Sequence, residues 1–147
     1  MNEAIDSFYV HASLFMEYCT TTKHFLPEDA RKLLLMIVDL YRLALCLPEC
    51  DYDEEYESVL DGPVPIALRF GEYDSYWEFY DPKELDEPVA GSLYDDVFSI
   101  FNDLRNGINL YEQNRKNAAC ESWKIGFDTH WRNHAADAMR ALNYIEQ

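Results

Sequence analysis

From Glu121 to Leu142 the sequence ESWKIGFDTHWRNHAADAMRAL sets its apolar residues at a helical spacing. Trp123, Phe127, His130, His134, Ala138, Ala141 and Ile145 fall within about one third of a helix circumference. No proline interrupts the run from Ala118 to Ile145, and Gly126 is its only glycine. The spacing therefore predicts one helix over 118–145, roughly 40 Å long, that must bury a stripe carrying two histidines.

The other periodic stretches are helical as well. Ala4 to Thr20 places Ile5, Phe8, Tyr9, Ala12, Phe15, Met16 and Cys19 on one face, which predicts a helix over 4–20. Pro27 suits the first turn of a second helix over 27–46, and Glu28 and Asp29 oppose the positive end of its dipole. That helix is apolar nearly all round in LLLMIVDLYRLALCL, which makes it central and covered on more than one side, by other helices or by a second subunit. A homodimer would satisfy the second arrangement. Ser92 and Asp95 form a capping box for a third helix over 93–113, with Leu93, Val97, Phe101, Leu104, Ile108 and Tyr111 inward. Gly107 in its interior predicts close approach by another helix. The short turn from Asn114 to Asn117 then makes the last two helices an antiparallel hairpin.

Between Pro48 and Gly91 the regularity is lost. Asp51 to Glu57 is an acidic run assigned to loop, and Ile66 to Phe70 is assigned one short helix. Tyr73, Tyr76, Trp77, Phe79 and Tyr80 follow within eight residues and are expected to fold back over the helices as a lid or wall. No alternating strand pattern of useful length stands out. The expectation is an all-α fold, an irregular bundle of four long helices with this aromatic and acidic excursion, forming a single domain over residues 1–147.

Charge narrows the function. Asp and Glu number 28 against 12 Lys and Arg, a net charge of -16. A surface of that sign repels phosphate and anionic lipid, so neither nucleic acid nor membrane is an expected partner. It favours a protein partner with a basic patch. No apolar run reaches the ~18 residues of a membrane span, and MNEAIDSFYV lacks the regions of a signal peptide. Cys19, Cys46, Cys50 and Cys120 form no CxxC pair and are assigned as free thiols, which with the missing leader predicts a cytoplasmic protein.

His130 and His134 stand four residues apart, so both imidazoles share one helix face. Asp96 and Asp103 flank the inward stripe of the preceding helix, and Asp137 flanks the histidine stripe itself. Three readings follow: core histidines paired to carboxylates, a small-molecule pocket, or a divalent-metal site with His130 and His134 as ligands. An HxxxH spacing without the glutamate of HExxH leaves the metal as the minority reading, and no cofactor is expected. Trp77 lies in the segment that would cover such a site, although Trp77, Trp123 and Trp131 are assigned first as packing residues; Glu78 and Asp81 are assigned to a solvated loop edge, with pointing into a cleft as the alternative. Arg132 and Arg140 are assigned to surface pairs with nearby acids. No glycine-rich phosphate loop, nucleophile elbow or Ser/His/Asp order is present. The leading expectation is a non-catalytic interaction or regulatory module. The rival is a ligand or metal site, with hydrolysis as one outcome, built from His130, His134 and Asp96 beneath Tyr76 to Pro82.

Three segments together, YWEFYDP at 76–82, GSLYDD at 91–96 and HWRNHAADAMRAL at 130–142, resemble an uncharacterised bacterial family of small acidic proteins, a domain of unknown function. The likeness extends over most of the chain. It departs at Val64 to Phe70, where Pro63 and Pro65 stand in place of a longer helix. The resemblance implies an all-helical fold and a bacterial cytoplasmic setting. It lends no activity and no catalytic residue.

Overall fold

The computed structural model describes residues 3–50 and 62–145. The acidic run from Asp51 to Glu57 lies outside the described residues. Helix α1 spans Glu3–Thr21 and buries Ile5, Phe8, Ala12, Phe15 and Cys19. A 3-10 turn at Pro27–Asp29 opens α2, Ala30–Leu45, and the Asp29 carboxylate accepts the Leu26 N–H at 2.9 Å. Helix α2 buries Leu33, Ile37, Leu40, Leu43 and Ala44 against α1 and a later helix, α5. Its other flank is open, with Leu35, Val38 and Leu45 exposed. Helix α2 is thus covered on more than one side, by α1 and α5.

Residues 62–70 hold no helix. Ile66, Leu68 and Phe70 are buried while Pro65, Ala67 and Arg69 are exposed, the two-residue period of an extended chain. Backbone hydrogen bonds from Phe25 N–H to Arg69 C=O and from Arg69 N–H to Lys23 C=O, both 2.9 Å, fix this segment beside the α1–α2 connection. Pro63 and Pro65 exclude a helix here because each lacks an N–H donor and disfavours helical geometry in the residue before it. The short helical turn falls instead at Gly71–Tyr73, where Gly71 takes φ +57°.

The aromatic segment forms a second departure from an all-helical expectation. Strand β1, Ser75–Glu78, pairs antiparallel with β2, Val89–Ser92, placing Tyr76 opposite Gly91 and Trp77 opposite Ala90. Asp74 fastens this hairpin to the next helix. Its carboxylate accepts from Ser92 Oγ at 2.9 Å and from the Tyr94 N–H at 2.8 Å, and its carbonyl accepts from the Leu93 N–H. Helix α3, Leu93–Glu112, begins there, with Ser92 Oγ accepting the Asp95 N–H as its cap.

Asn114, at φ 64°, turns the chain into α4, Lys116–Gly126. Trp123 of α4 is completely buried, and its indole donates to the Leu104 carbonyl across the α3–α4 contact. A Cβ on Gly107 would lie 2.2 Å from the Trp123 indole nitrogen, so the glycine predicted to admit a close neighbour does so. A π-turn at Phe127–Trp131 follows, then α5, Arg132–Asn143. One continuous helix over 118–145 is therefore replaced by two α segments joined through a wider turn. Among the described residues the fold is a mostly helical bundle with one small hairpin.

Candidate functional site

The π-turn decides where the histidines go. A π-turn contains one residue more than an α-turn and displaces everything after it around the axis. The buried stripe beyond Phe127 is accordingly Trp131, Ala135, Ala138 and Leu142, where uniform helical spacing had put His130, His134 and Ala141 inward. Both histidines move to the flank facing α3. The His130 side chain is 52% exposed and that of His134 22% exposed.

Each then meets one acid of α3. His134 Nδ1 lies 2.8 Å from Asp96 Oδ1, and His130 Nδ1 lies 2.7 Å from Asp103 Oδ2. Asp96 is 3% exposed and is the one buried charged residue among those described. Its second oxygen accepts a short hydrogen bond from the Tyr76 hydroxyl. Tyr76 reaches it because Gly91, its cross-strand partner, leaves room: a Cβ there would sit 2.5 Å from the tyrosine ring. Tyr76, Asp96 and His134 thus form a continuous relay from β1 through α3 to α5.

Burial holds the Asp96 carboxyl above its ordinary range, and the hydrogen bonds from His134 and Tyr76 pull it partway back. The Asp96 hydrogen bond raises the His134 pKa above 6.5, with burial opposing. Burial pushes the Tyr76 hydroxyl far up, reinforced by Asp96. Asp103 is also raised by burial, against the pull of His130. The Nδ1 bond to Asp96 leaves His134 Nε2 without a hydrogen-bond partner among the described residues.

Beyond this relay, β1 and α5 enclose a cleft of about 210 Å³. Tyr76 and Glu78 line it from the strand, Asp137 and Arg140 from the helix, and Trp77 and Tyr144 form its rim. Strand alternation explains the roles: Tyr76 and Glu78 point inward, and Trp77 outward to 73% exposure. Glu78 Oε2 is shielded from solvent with no donor near it, against Asp137. Burial first, and the neighbouring Asp137 side chain second, lift Glu78 to about 7. Arg140 has no ion-pair partner within 4 Å among the described residues, contrary to its assignment as a surface pair. Arg132 does have one, Asp128 at 3.9 Å.

The remaining candidates separate from this centre. Trp77 is not the packing residue expected, whereas Trp123 and Trp131 are fully buried. Asp81 sits in the hairpin turn and accepts the Lys83 N–H at 2.9 Å, away from both histidines. Asp103, two turns along α3 from Asp96, pairs with His130. Phe79 and Tyr80 project into solvent instead of covering the helices. For a metal, ligand atoms of Asp95, Asp96 and His134 lie within 4.8 Å of one another, a set in which Asp95 replaces the expected His130. Each Asp96 oxygen already accepts one hydrogen bond, from Tyr76 or from His134.

The family model for a domain of unknown function, DUF5063, matches residues 5–147. The chain belongs to the DUF5063 family. No curated protein matches it. The crystal structure of protein BF1032 from Bacteroides fragilis is similar in fold, with a TM-score of 0.69 at 18% identity, covering 97% of this chain and 95% of that one. At that identity the likeness shows the shared fold alone. No described helix of this DUF5063 chain is long and apolar enough to cross a membrane.

Proposed function

We propose that this DUF5063 chain is a non-catalytic regulatory module that binds a small molecule between the β1–β2 hairpin and α5. The observation that carries this reading is the half-open cleft itself. Its floor holds an unpartnered, shielded carboxylate oxygen of Glu78, and its rim shows uncovered aromatic faces of Trp77 and Tyr144. Sites for small ligands combine apolar walls with a few converging polar groups in this manner. The lining contains no serine, threonine or cysteine for covalent chemistry, so reversible binding is the simplest use. A two-stranded hairpin is marginal by itself and relies on what its inner face touches. Filling the cleft would therefore order the hairpin.

A second reading concerns the opposite face of the same hairpin. Phe79 and Tyr80 are exposed, the latter at 90%, in a segment rich in acids within a chain of net charge -16. Exposed aromatics amid acids suit a basic protein partner, through cation–π contacts and charge steering. The two readings join if ligand on the inner face steadies the partner surface on the outer one. A fragment set observed through the Trp77 indole signal by NMR tests the cleft. Binding is expected to move Trp77 and His134 resonances together and to leave His11, on α1, unmoved. Fragments that bind without touching either resonance would refute the site.

A further inference from the structure

The lining of the cleft narrows the ligand further, resting on the reading just given. Its two kinds of charge are segregated. Glu78 and Asp137 approach each other from strand and helix, and Arg140 stands one turn beyond Asp137 on α5. Residues three apart on a helix have Cβ atoms about 5–6 Å from each other, so the acidic and basic ends of the cleft are close neighbours. They do not neutralise each other, since no ion pair joins Arg140 to either acid within 4 Å. Between and beside them lie the apolar faces of Trp77 and Tyr144. A cavity of about 150 Å³ accepts benzene, so 210 Å³ accommodates a somewhat larger apolar group.

We infer that the cleft binds a free α-amino acid with an apolar side chain, its ammonium on the Glu78–Asp137 pair, its carboxylate on Arg140, and its side chain against Trp77 and Tyr144. The ammonium and carboxylate of an α-amino acid are separated by a single carbon, matching the short gap between Asp137 and Arg140. A bare amine would leave Arg140 unanswered and facing a like charge. A bare carboxylate would face two acids. A zwitterion meets both.

The entering ammonium takes the place of the proton on Glu78, so binding releases a proton. Glu78 half-ionises at about 7, so its ionised share grows about tenfold from pH 6 to pH 8, and affinity should follow. The charged groups facing Glu78 are Asp137, His134 and Arg140 on α5 and Asp96 on α3, with the Tyr76 hydroxyl beside it. His134 loses its positive charge as pH rises, which favours the ammonium further, so the sign is the same.

The test is isothermal titration of the full chain with L-leucine and L-phenylalanine, alongside leucinamide and N-acetyl-leucine. At least one amino acid should bind, and removing either charge from it should weaken binding tenfold or more. Arg140→Gln should weaken the amino acid but not leucinamide, which loses a like charge, and Asp137→Asn should weaken the amino acid but not N-acetyl-leucine, for the same reason. Neither residue belongs to the buried core, and unchanged circular dichroism confirms that each variant folds. Leucinamide or N-acetyl-leucine binding as tightly as leucine overturns the zwitterion and leaves the cleft standing. Neutral aromatic fragments that shift Trp77 where no amino acid does overturn it in the same way. If neither amino acids nor fragments shift Trp77, the cleft reading falls with it.

Discussion

Replacing Glu78 by glutamine should make the protein more stable, and only at neutral or alkaline pH. In the folded chain Glu78 titrates at about 7, against an ordinary 4.5. Below pH 4.5 the carboxyl is protonated whether the chain is folded or not, so its charge contributes nothing. Between 4.5 and 7 the unfolded chain ionises it while the folded chain holds the proton, and stability falls as pH rises. The 2.5 pH units between those values correspond to about 3.4 kcal/mol for a fully shielded group. The cleft is half-open, so screening by solvent reduces this to about 1 kcal/mol. Glutamine carries no charge at any pH and can donate its amide N–H to Asp137. Urea unfolding of wild type and Glu78→Gln at pH 4 and pH 8 measures the difference directly. The variant should match wild type at pH 4 and gain about 1 kcal/mol at pH 8, or about 2–4 °C in melting temperature. Equal destabilisation at both pH values would refute the reasoning, because it would mean that Glu78 stabilises through packing or a bond and not through a strained charge.

His134→Ala should cost about 1–3 kcal/mol at pH 6, because Asp96 loses a partner inside the fold. A histidine whose pKa rises on folding stabilises below pH 6.5 and ceases to as pH passes its folded value, so the deficit should shrink at pH 9. His130→Ala, at an exposed pair, should lower stability by under about 1 kcal/mol in the same unfolding series. Gly107→Ala should destabilise by about 1–3 kcal/mol even though alanine is the better helix former, because the new methyl drives into the Trp123 indole; a midpoint at or above wild type would show that Trp123 moves aside freely. Gly91→Ala should push the Tyr76 ring off Asp96, visible as chemical-shift changes at Tyr76 and His134.

Helical periodicity carried the bundle because each of α1, α2 and α3 is a long segment with one apolar face. It went astray where the backbone leaves the regular period. Nothing in FDTHW announces a π-turn, and that single extra residue converts two inward histidines into flank residues. Their partners were still legible, because Asp96 and Asp103 are spaced seven residues apart on α3 and so share its face. The strands were written in the alternation of Ser75 to Phe79 and again in Ile66, Leu68 and Phe70. In the first case aromatics on both faces masked the two-residue period, since Tyr76 goes inward and Trp77 outward. In the second the stretch is too short to outweigh a helical reading except through its prolines. Glu78, Asp137 and Arg140 come together only through the docking of the hairpin on α5. That contact depends on Asp74 fastening β2 to α3, which no local pattern reveals.

The central claim is that the inner face of the hairpin and α5 form one ligand site with the Tyr76–Asp96–His134 relay at its edge. The most direct measurement is a histidine-detected NMR titration of the protein with L-leucine and L-phenylalanine at pH 7. The account predicts that the His134 and Trp77 signals shift together along one saturable curve while those of His130 and His11 stay in place. A curve carried by His130 or His11, or His134 and Trp77 saturating at different concentrations, would contradict it.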